Sequence, residues 1–416
     1  MRPYLAAVVL AAALTACAPF TEDGGSRVLT AEGVSRQTPA DAPVEEAVRG
    51  LTAFGHSLYT ANAGPLANTV LSPLSVGVAY GMARAGAGAS AGAELDRVFG
   101  FPAAGPHTAF NTITRRIVTI EEGTPPPPPG QETRGDGSGP PAPPVVGLAH
   151  GLFAQDGLPV KQDFLRTVTA QYGTGVHTVD FGAEAADEIN AWTDRQTAGR
   201  ITKLFERLPA NTRLVLANAL YLKADWEHPL VSGSSPGPGV FTRADGTTTR
   251  VELIGDVGAR RYAEGAGWQA VELRYAGGEL AMWLLLPRAG GTPGDLLTPA
   301  TFAQVADGLR QTVVALAIPR WDFATDIDLG TSVLRPGADF SGIADGLTLD
   351  QAVHRANISV DEWGTEAAAV TGLAFPVSAG PSAEATFRAD RPFAFAVVHT
   401  ETRTPLFIGQ VADPSR

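Results

Sequence analysis

Residues Val353–Gly372 read VHRANISVDEWGTEAAAVTG and change character at Gly364. Before that glycine, apolar and polar residues alternate, which is typical of a strand. After it, the side chains are almost all small. On a strand, alternate side chains share a face, so one face would carry only small residues: Thr365, Ala367, Ala369 and Thr371. Such a face could slide over a packed core, which predicts a segment able to insert into an existing sheet. An alanine-rich surface helix or loop is the alternative interpretation.

The composition excludes several classes of protein. The chain has 416 residues, 44% of them hydrophobic, and a formal net charge of −12. This length allows one large or two ordinary domains, and the apolar content excludes wholesale disorder. An acidic chain without a basic stripe argues against nucleic acid as a partner. The histidines show no metal-ligand spacing, so we expect neither a metal nor another cofactor.

The N-terminal residues have the pattern of an export signal. Residues 1–17 contain one positive charge, an apolar stretch too short for a comfortable membrane span, and the single cysteine, Cys17. Leu14–Cys17 resembles the bacterial lipobox, in which the chain is cut before the cysteine and the cysteine is acylated. Several acyl chains give stable anchoring. We therefore expect an exported protein, lipid-anchored through Cys17 to the membrane of the bacterial cell envelope or surface, with a secreted, extracellular protein as the alternative.

The rest of the chain divides into three parts. Residues 18–43 lack periodicity and predict a flexible tether. Residues 44–416 predict the folded domain, interrupted at 121–144 by a proline- and glycine-rich insert that cannot join a core. Its mixture of strands and helices, with hairpins late in the chain, predicts an α+β fold with large antiparallel sheets. The strand candidates are Leu214–Leu222, Gln269–Tyr275, Leu280–Leu286, Thr312–Ile318, Arg355–Val360, Phe393–His399 and Pro405–Val411, and the clearest helix is Ala183–Thr197.

Six motifs, in order along Val44–Pro414, resemble the serpin family. They are Asn68–Leu95 (helices B and C), Glu188–Phe205 (helix F), Leu214–Leu230 (a central strand of sheet A), Val271–Pro287 (strands of sheets B and C), Ile358–Gly372 (the reactive-loop hinge) and Phe387–Pro414 (the C-terminal strands). The resemblance implies the serpin fold, with three β-sheets, about nine helices and an exposed reactive-centre loop.

The resemblance also implies a function, that of a monomeric protease inhibitor rather than an enzyme. In serpins a target protease forms an acyl-enzyme with the loop, and the cut loop inserts into sheet A before deacylation. Insertion requires a permissive hinge, which the resemblance places at Glu362, Gly364, Thr365, Glu366, Ala367, Ala368, Ala369, Val370 and Thr371. Trp363 departs from the polar residue usual in the family and could slow insertion. A serpin that inhibits nothing, acting as a protease substrate or binding scaffold, is the alternative.

Family spacing also locates the bond that the protease cuts. Counting about fourteen residues beyond Gly364 gives Ser378–Ala379, with Val377–Ser378 as the second choice. The residue before the cut is small and uncharged, so a protease with an acidic specificity pocket would find no basic residue to bind. We therefore expect elastase-like or subtilisin-like serine proteases as partners, with cysteine proteases as an alternative.

Two further sets of residues complete the sequence predictions. Ser72, Ser75, Asn218 and His354 match the family's shutter cluster, where hydrogen-bonded groups can exchange partners as sheet A opens. Gly88–Gly92 spells G-x-S-x-G, so a serine hydrolase using Ser90 is a remote alternative. A nucleophile elbow needs a strand before the serine, however, and here a helix-like stretch precedes it. Ser90 fits better as the N-cap of a helix that extends to Phe99.

Overall fold

The computed structural model describes residues 20–23, 26–120, 124, 126, 140–209, 211–230, 236–330, 333–335, 337–365 and 382–415. In this part of the chain two large sheets are surrounded by seven α-helices: α1 Val44–Asn62, α2 Pro73–Arg84, α3 Ala89–Phe99, α4 His107–Ile117, α5 Gln162–Tyr172, α6 Ala185–Gln196 and α7 Pro299–Gly308. A 3₁₀ helix spans Pro293–Leu296. No helix among the described residues is long and apolar enough to cross a membrane.

Eighteen strands build the two sheets within the same ranges. They are β1 Phe20–Asp23, β2 Ser26–Leu29, β3 Thr69–Leu71, β4 Val145–Gln155, β5 Val176–Val179, β6 Leu214–Asp225, β7 Gly237–Thr242, β8 Thr248–Ile254, β9 Val257–Gly265, β10 Trp268–Arg274, β11 Leu280–Pro287, β12 Arg310–Pro319, β13 Trp321–Asp328, β14 Gln351–Val360, β15 Gly364–Thr365, β16 Ala385–Arg388, β17 Phe393–His399 and β18 Pro405–Val411. Every strand candidate from the sequence corresponds to one of them, although Tyr275 lies one residue beyond β10, and the predicted helix Ala183–Thr197 is α6 with slightly shorter bounds.

The sheet that carries the predicted hinge is sheet A, with the strand order β1-β2-β5-β4-β6-β15-β14-β13. Its central strand β6 is buried along almost its whole length, because helices α2 and α6 both pack against it and its alternate residues belong to two different hydrophobic clusters. Helix α6 packs on sheet A through Trp192, which contacts Phe153 edge-to-face with ring centroids 5.2 Å apart. This packing fixes the helix over the central strands.

The second sheet has the order β3-β18-β17-β11-β10-β9-β12-β8-β7, and β16 pairs with β12. The sequence predicts three sheets, whereas the hydrogen bonds of the described strands form two continuous ones. The reason is β12, which pairs with β9 along most of its length and with β8 through Ile318 and Pro319. One strand therefore joins β7 and β8 to the larger sheet.

The expected number of about nine helices is wrong for the described residues, which form seven α-helices and one 3₁₀ helix. Residues 337–349 show why a helix does not form between β13 and β14. Gly337 and Gly346 adopt left-handed conformations, with φ of 76° and 68°, and the chain around them forms successive turns. Such conformations cannot continue a right-handed helix.

Part of the segment 18–43, predicted as a flexible tether, belongs instead to sheet A, where residues 20–23 form β1 and residues 26–29 form β2. Strand β2 pairs antiparallel with β5 at the edge of sheet A, and Val28 and Ala31 are buried. The physical reason is that β5 would otherwise expose unpaired backbone groups at the edge of the sheet. The predicted insert 121–144 lies outside the described residues except for 124, 126 and 140–144.

Arg36 fastens the end of this docked segment to helix α4. Its Nε donates to Asn111 Oδ1 at 3.2 Å, and its Nη2 donates to Thr114 Oγ1 at 2.5 Å. A partly buried guanidinium that satisfies two side-chain acceptors in this way stabilises the docked form.

We predict that Arg36→Ala lowers the free energy of unfolding by about 1–3 kcal/mol, because it removes charge-assisted hydrogen bonds to buried acceptors. Urea-induced unfolding at pH 7.5 measures the change. Arg49→Ala is the matched control, since Arg49 forms an exposed ion pair with Glu45 and should lose less than about 1 kcal/mol. Equal effects of the two substitutions would contradict the docking.

Candidate functional site: a slot between two strands of sheet A

Strands β6 and β14 are parallel neighbours at one end of sheet A and separate toward the other. They pair from Gln351↔Val215 to His354↔Asn218, and beyond that point their backbones no longer hydrogen bond. The separated stretch is a narrow slot. Its lining includes Leu220, Tyr221 and Leu222 from β6, and Asn357, Ile358 and Ser359 from β14, with Thr365 at its far end.

Strand β15 lies at the far, open end of the slot. Thr365 pairs with Val360 of β14 and with Ala224 of β6, so the start of the predicted hinge already lies between the two strands. Gly364 is required there, because a Cβ at this position would lie 2.1 Å from the carbonyl oxygen of Ala224. The sequence analysis places this glycine in the permissive hinge, and the structure shows a close backbone approach that only glycine allows.

Thr365 is buried, with 2% of its surface exposed. Its Oγ1 forms a 2.6 Å hydrogen bond with the hydroxyl of Tyr275, whose ring stacks on Trp226 with centroids 4.5 Å apart. Burial raises the pKa of Tyr275, so its hydroxyl keeps its proton. The first small residue of the hinge therefore sits in a closed, hydrogen-bonded environment.

The turn before Thr365 is held by hydrogen bonds to its backbone carbonyl oxygens. Trp226 N donates to Trp363 O at 2.7 Å, Trp226 Nε1 donates to Asp361 O at 2.9 Å, and Leu230 N donates to Glu362 O at 2.8 Å. The side chain of Glu362 pairs with Arg320. These contacts join the hinge to residues 226–230, which follow β6, and Trp363 takes part in them through its backbone.

The side chain of Asp361 stabilises the same turn by hydrogen bonds to its backbone N–H groups. Its Oδ1 accepts hydrogen bonds from the backbone of Trp363 at 2.7 Å and of Gly364 at 3.1 Å. Burial nevertheless raises the pKa of the Asp361 carboxyl to about 6, because it outweighs the two backbone donors. The hinge thus contains a carboxylate whose ionisation opposes the native state.

The four predicted shutter residues lie together at the closed end of the slot, and all four are fully buried. His354 Nε2 accepts from the backbone N–H of Ser72 at 2.9 Å, and its Nδ1 lies 2.8 Å from Asn218 Oδ1. Ser75 donates through Oγ to the same Asn218 oxygen at 3.3 Å. Ser72 is also the N-cap of α2, and its side chain accepts a hydrogen bond from the backbone N–H of Ser75.

These contacts fix the protonation state of His354. Since Nε2 accepts a hydrogen bond, the proton lies on Nδ1 and is donated to Asn218. Burial lowers the pKa of His354 to about 3. The pair Asn218↔His354 is also the last pair between β6 and β14 before the slot. The shutter cluster therefore lies at the point where β6 and β14 must separate if the slot is to become longer.

The remaining predicted residues fall elsewhere. Cys17, Val377, Ser378, Ala379 and 366–371 lie outside the described residues. Ser90 is exposed and lies inside helix α3, whose N-cap is Gly88, so its predicted N-cap role is wrong. A glycine in extended conformation begins the helix one residue before Ala89. Because α2 rather than a strand precedes α3, Ser90 does not occupy a nucleophile elbow.

No metal site is formed by the described residues, which contain no suitable group of three or more histidine, cysteine or acidic side chains. The chemistry of the site lies in its backbone. Facing strands that have parted can accept a further strand between them, provided that the side chains entering the core are small.

Comparison with known proteins identifies the family to which this chain belongs. Residues 49–414 match the family model of serpins, described as serine protease inhibitors. An uncharacterised serpin-like protein of Thermococcus kodakarensis is 32% identical over 387 residues, covering 88% of this chain and 85% of that protein. Iripin-2 of Ixodes ricinus is 31% identical, covering 86% of this chain and 91% of its own length. The chain therefore belongs to the serpin family.

Solved structures show the same fold. The thermophilic serpin tengpin in its native state superposes with a TM-score of 0.77 at 22% identity, covering 92% of this chain and 97% of its own. Human thyroxine-binding globulin in complex with thyroxine superposes with a TM-score of 0.75 at 24% identity, covering 90% of this chain and 100% of its own. At these identities the likeness concerns the fold alone.

We predict that protonation of His354 destabilises the native state. Its pKa in the folded protein lies below its ordinary value of 6.5, so the contribution of the neutral ring is complete above pH 6.5 and is lost as the pH falls toward 3. At pH 5 the loss is about 2 kcal/mol. His354→Gln should therefore be less stable than the wild type at pH 7.5, with a deficit about 2 kcal/mol smaller at pH 5. Urea unfolding measures both deficits, and His228→Gln, at an exposed histidine, is the control. A deficit independent of pH would contradict the buried neutral ring.

We predict the opposite dependence for Asp361. Its pKa is raised from 3.8 to about 6, so the protonated form's favourable contribution is present below pH 3.8 and is lost as the pH rises through 6. Asp361→Asn keeps an oxygen acceptor without the charge. The variant should be up to about 3 kcal/mol more stable than the wild type at pH 7 and equal to it near pH 4. Thermal unfolding across this range tests the difference, with the exposed Asp322→Asn as control. A variant that is less stable at pH 7 would show that the charge itself holds the turn.

Proposed function

We propose that this serpin is inhibitory, trapping serine proteases as a covalent acyl complex when its cut loop inserts into sheet A. The observation that carries the proposal is the slot between β6 and β14, with Thr365 already paired at its mouth. The next alternate residues of the hinge, Ala367, Ala369 and Thr371, are all small. A strand continuing from Thr365 would send these side chains to the face on which Thr365 is buried.

Hydrogen bonding and burial supply the driving force. An inserted strand would pair with β6 on one side and β14 on the other, where the two strands now lack each other as partners. The net contribution of each hydrogen bond to stability is about 0.5–1.5 kcal/mol, so the insertion of about a dozen residues releases on the order of 10 kcal/mol. A bound protease would be carried with the loop, because the acyl bond joins it to the newly formed end.

The sequence supports a proposal for the class of protease that is trapped and for the cellular location of the inhibitor. A cut at Ser378–Ala379, or at Val377–Ser378, presents a small residue to the protease and favours elastase-like or subtilisin-like enzymes. Cysteine proteases are a second class with the same acyl chemistry. The resemblance of Leu14–Cys17 to a lipobox supports an inhibitor anchored at the cell envelope, where it would meet exported or foreign proteases. We expect the inhibitor to be a monomer.

We predict that Thr365→Arg converts the inhibitor into a substrate. Insertion would have to keep a charge beside Tyr275 in the closed core, which costs several kcal/mol, so the trapped fraction should fall about tenfold or more. The assay is incubation with subtilisin or elastase, followed by a denaturing gel for the adduct and a measurement of residual protease activity. Thr365→Ser is the matched control, since it keeps the hydroxyl and should trap normally.

A thermal melt of uncut Thr365→Arg ensures that the variant is folded before the assay. Adduct formation at the wild-type yield would contradict the proposed role of the hinge. Clean cleavage of the wild type by both proteases, with no adduct and with full protease activity remaining, would favour a serpin that acts as a substrate or binding scaffold.

A further inference from the structure

A cavity of about 500 Å³ lies beside the segment that holds the hinge. Its walls come from residues 226–230 and from strands β9 and β10, and the residues that matter here are Trp226, Leu230, Arg260, Arg261, Glu272 and Arg274. The volume is within the range of small-molecule sites in proteins. Neither the slot nor the shutter cluster contributes to it.

The polar wall of the cavity contains a buried hydrogen-bond donor without a partner, on Arg260. Arg260 has only 8% of its side chain exposed and pairs with Asp256 through Nη2. Its Nη1 is buried and has no hydrogen-bond partner among the residues that the structure describes. An unpartnered buried donor on a guanidinium is unusual in a native structure and is costly without an acceptor.

Two more arginines converge on the same wall through Glu272. Arg261 Nη1 lies 3.4 Å and Arg274 Nε 3.1 Å from Glu272 Oε1. The other oxygen of Glu272 accepts from Trp283 Nε1 at 3.0 Å. This carboxylate is buried and fully engaged by protein donors, whereas Arg261 and Arg274 are partly exposed and each has further N–H groups. A ligand with acceptor oxygens would complete this wall.

We propose that the cavity binds a small organic anion with an apolar body. Its acidic group would lie on the guanidinium groups of Arg261 and Arg274, whose planar forks match the oxygens of a carboxylate, sulfonate or phosphate. Its apolar part would lie against Trp226, Leu230 and Leu273, which line the same cavity. Glu227 and His228 are on the exposed rim.

Occupancy of the cavity is coupled to the hinge through residues 226–230. Trp226 and Leu230 line the cavity, and their backbone N–H groups donate to Trp363 and Glu362 of the hinge. Trp226 also stacks on Tyr275, which hydrogen bonds to Thr365. A ligand that orders this segment favours the paired hinge and slows release of the loop. This coupling rests on the proposed function, whereas the binding itself does not.

The binding is tested with the intact chain and 8-anilinonaphthalene-1-sulfonate, using N-phenyl-1-naphthylamine as the neutral probe with the same aromatic rings. Fluorescence titration should show one saturable site for the sulfonate. Arg274→Gln should weaken its binding about tenfold or more, since it removes charge-assisted hydrogen bonds, and should leave the neutral probe unaffected. Arg166→Gln, on the exposed face of α5, is the matched control. Absence of saturable binding, or equal affinity for wild type and Arg274→Gln, would overturn the site.

The coupling is tested separately by the rate at which subtilisin cuts between residues 366 and 381, read by mass spectrometry. Saturating sulfonate probe should slow cleavage of the wild type and leave the rate for Arg274→Gln unchanged. Binding without any change in the cleavage rate of the wild type would overturn the coupling. Neither measurement depends on adduct formation, so failure of protease trapping leaves both results interpretable.

Discussion

Strands β6 and β14 hydrogen bond to each other at one end of sheet A and are kept apart by β15 at the other. This partial separation is the constraint on which the other features depend. It leaves backbone groups of two central strands without each other as partners. Pairing of Thr365 at the mouth sets the register in which any further residues of the loop would enter.

A buried histidine lies at one end of the slot and a half-buried aspartate at the other, and for each the charged form is disfavoured. At the closed end, neutral His354 joins β14 to Asn218 on β6 and to the N-cap of α2. At the open end, Asp361 holds the turn that delivers Thr365, while its burial disfavours the charge. Hydrogen-bonded groups at these places can exchange partners when the strands move, whereas a sealed apolar contact would have to be broken outright.

Much of this arrangement could be predicted from the sequence, because it depends on local patterns. The alternation in β14, the glycine at 364 and the small residues after it indicate a strand and a permissive hinge. The cap at Ser72 is likewise a local signal. Contacts between residues far apart in the chain have no such local signal in the sequence. The hydrogen bond between Tyr275 and Thr365, for example, joins residues ninety positions apart. Docking of residues 26–37 was missed because a short edge strand gains its stability from its neighbour rather than from its own periodicity.

The most direct test of the central claim is the thermal stability of the protein before and after a single cut in the loop. A metalloprotease supplies the cut within residues 366–381, because it forms no acyl-enzyme and is not trapped, and mass spectrometry locates the cut. If the cut loop fills the slot, the midpoint of unfolding should rise by about 10 °C or more, because a full set of new strand hydrogen bonds forms. An unchanged or lower midpoint in the cleaved protein would contradict the account, since it would show that sheet A does not accept the loop.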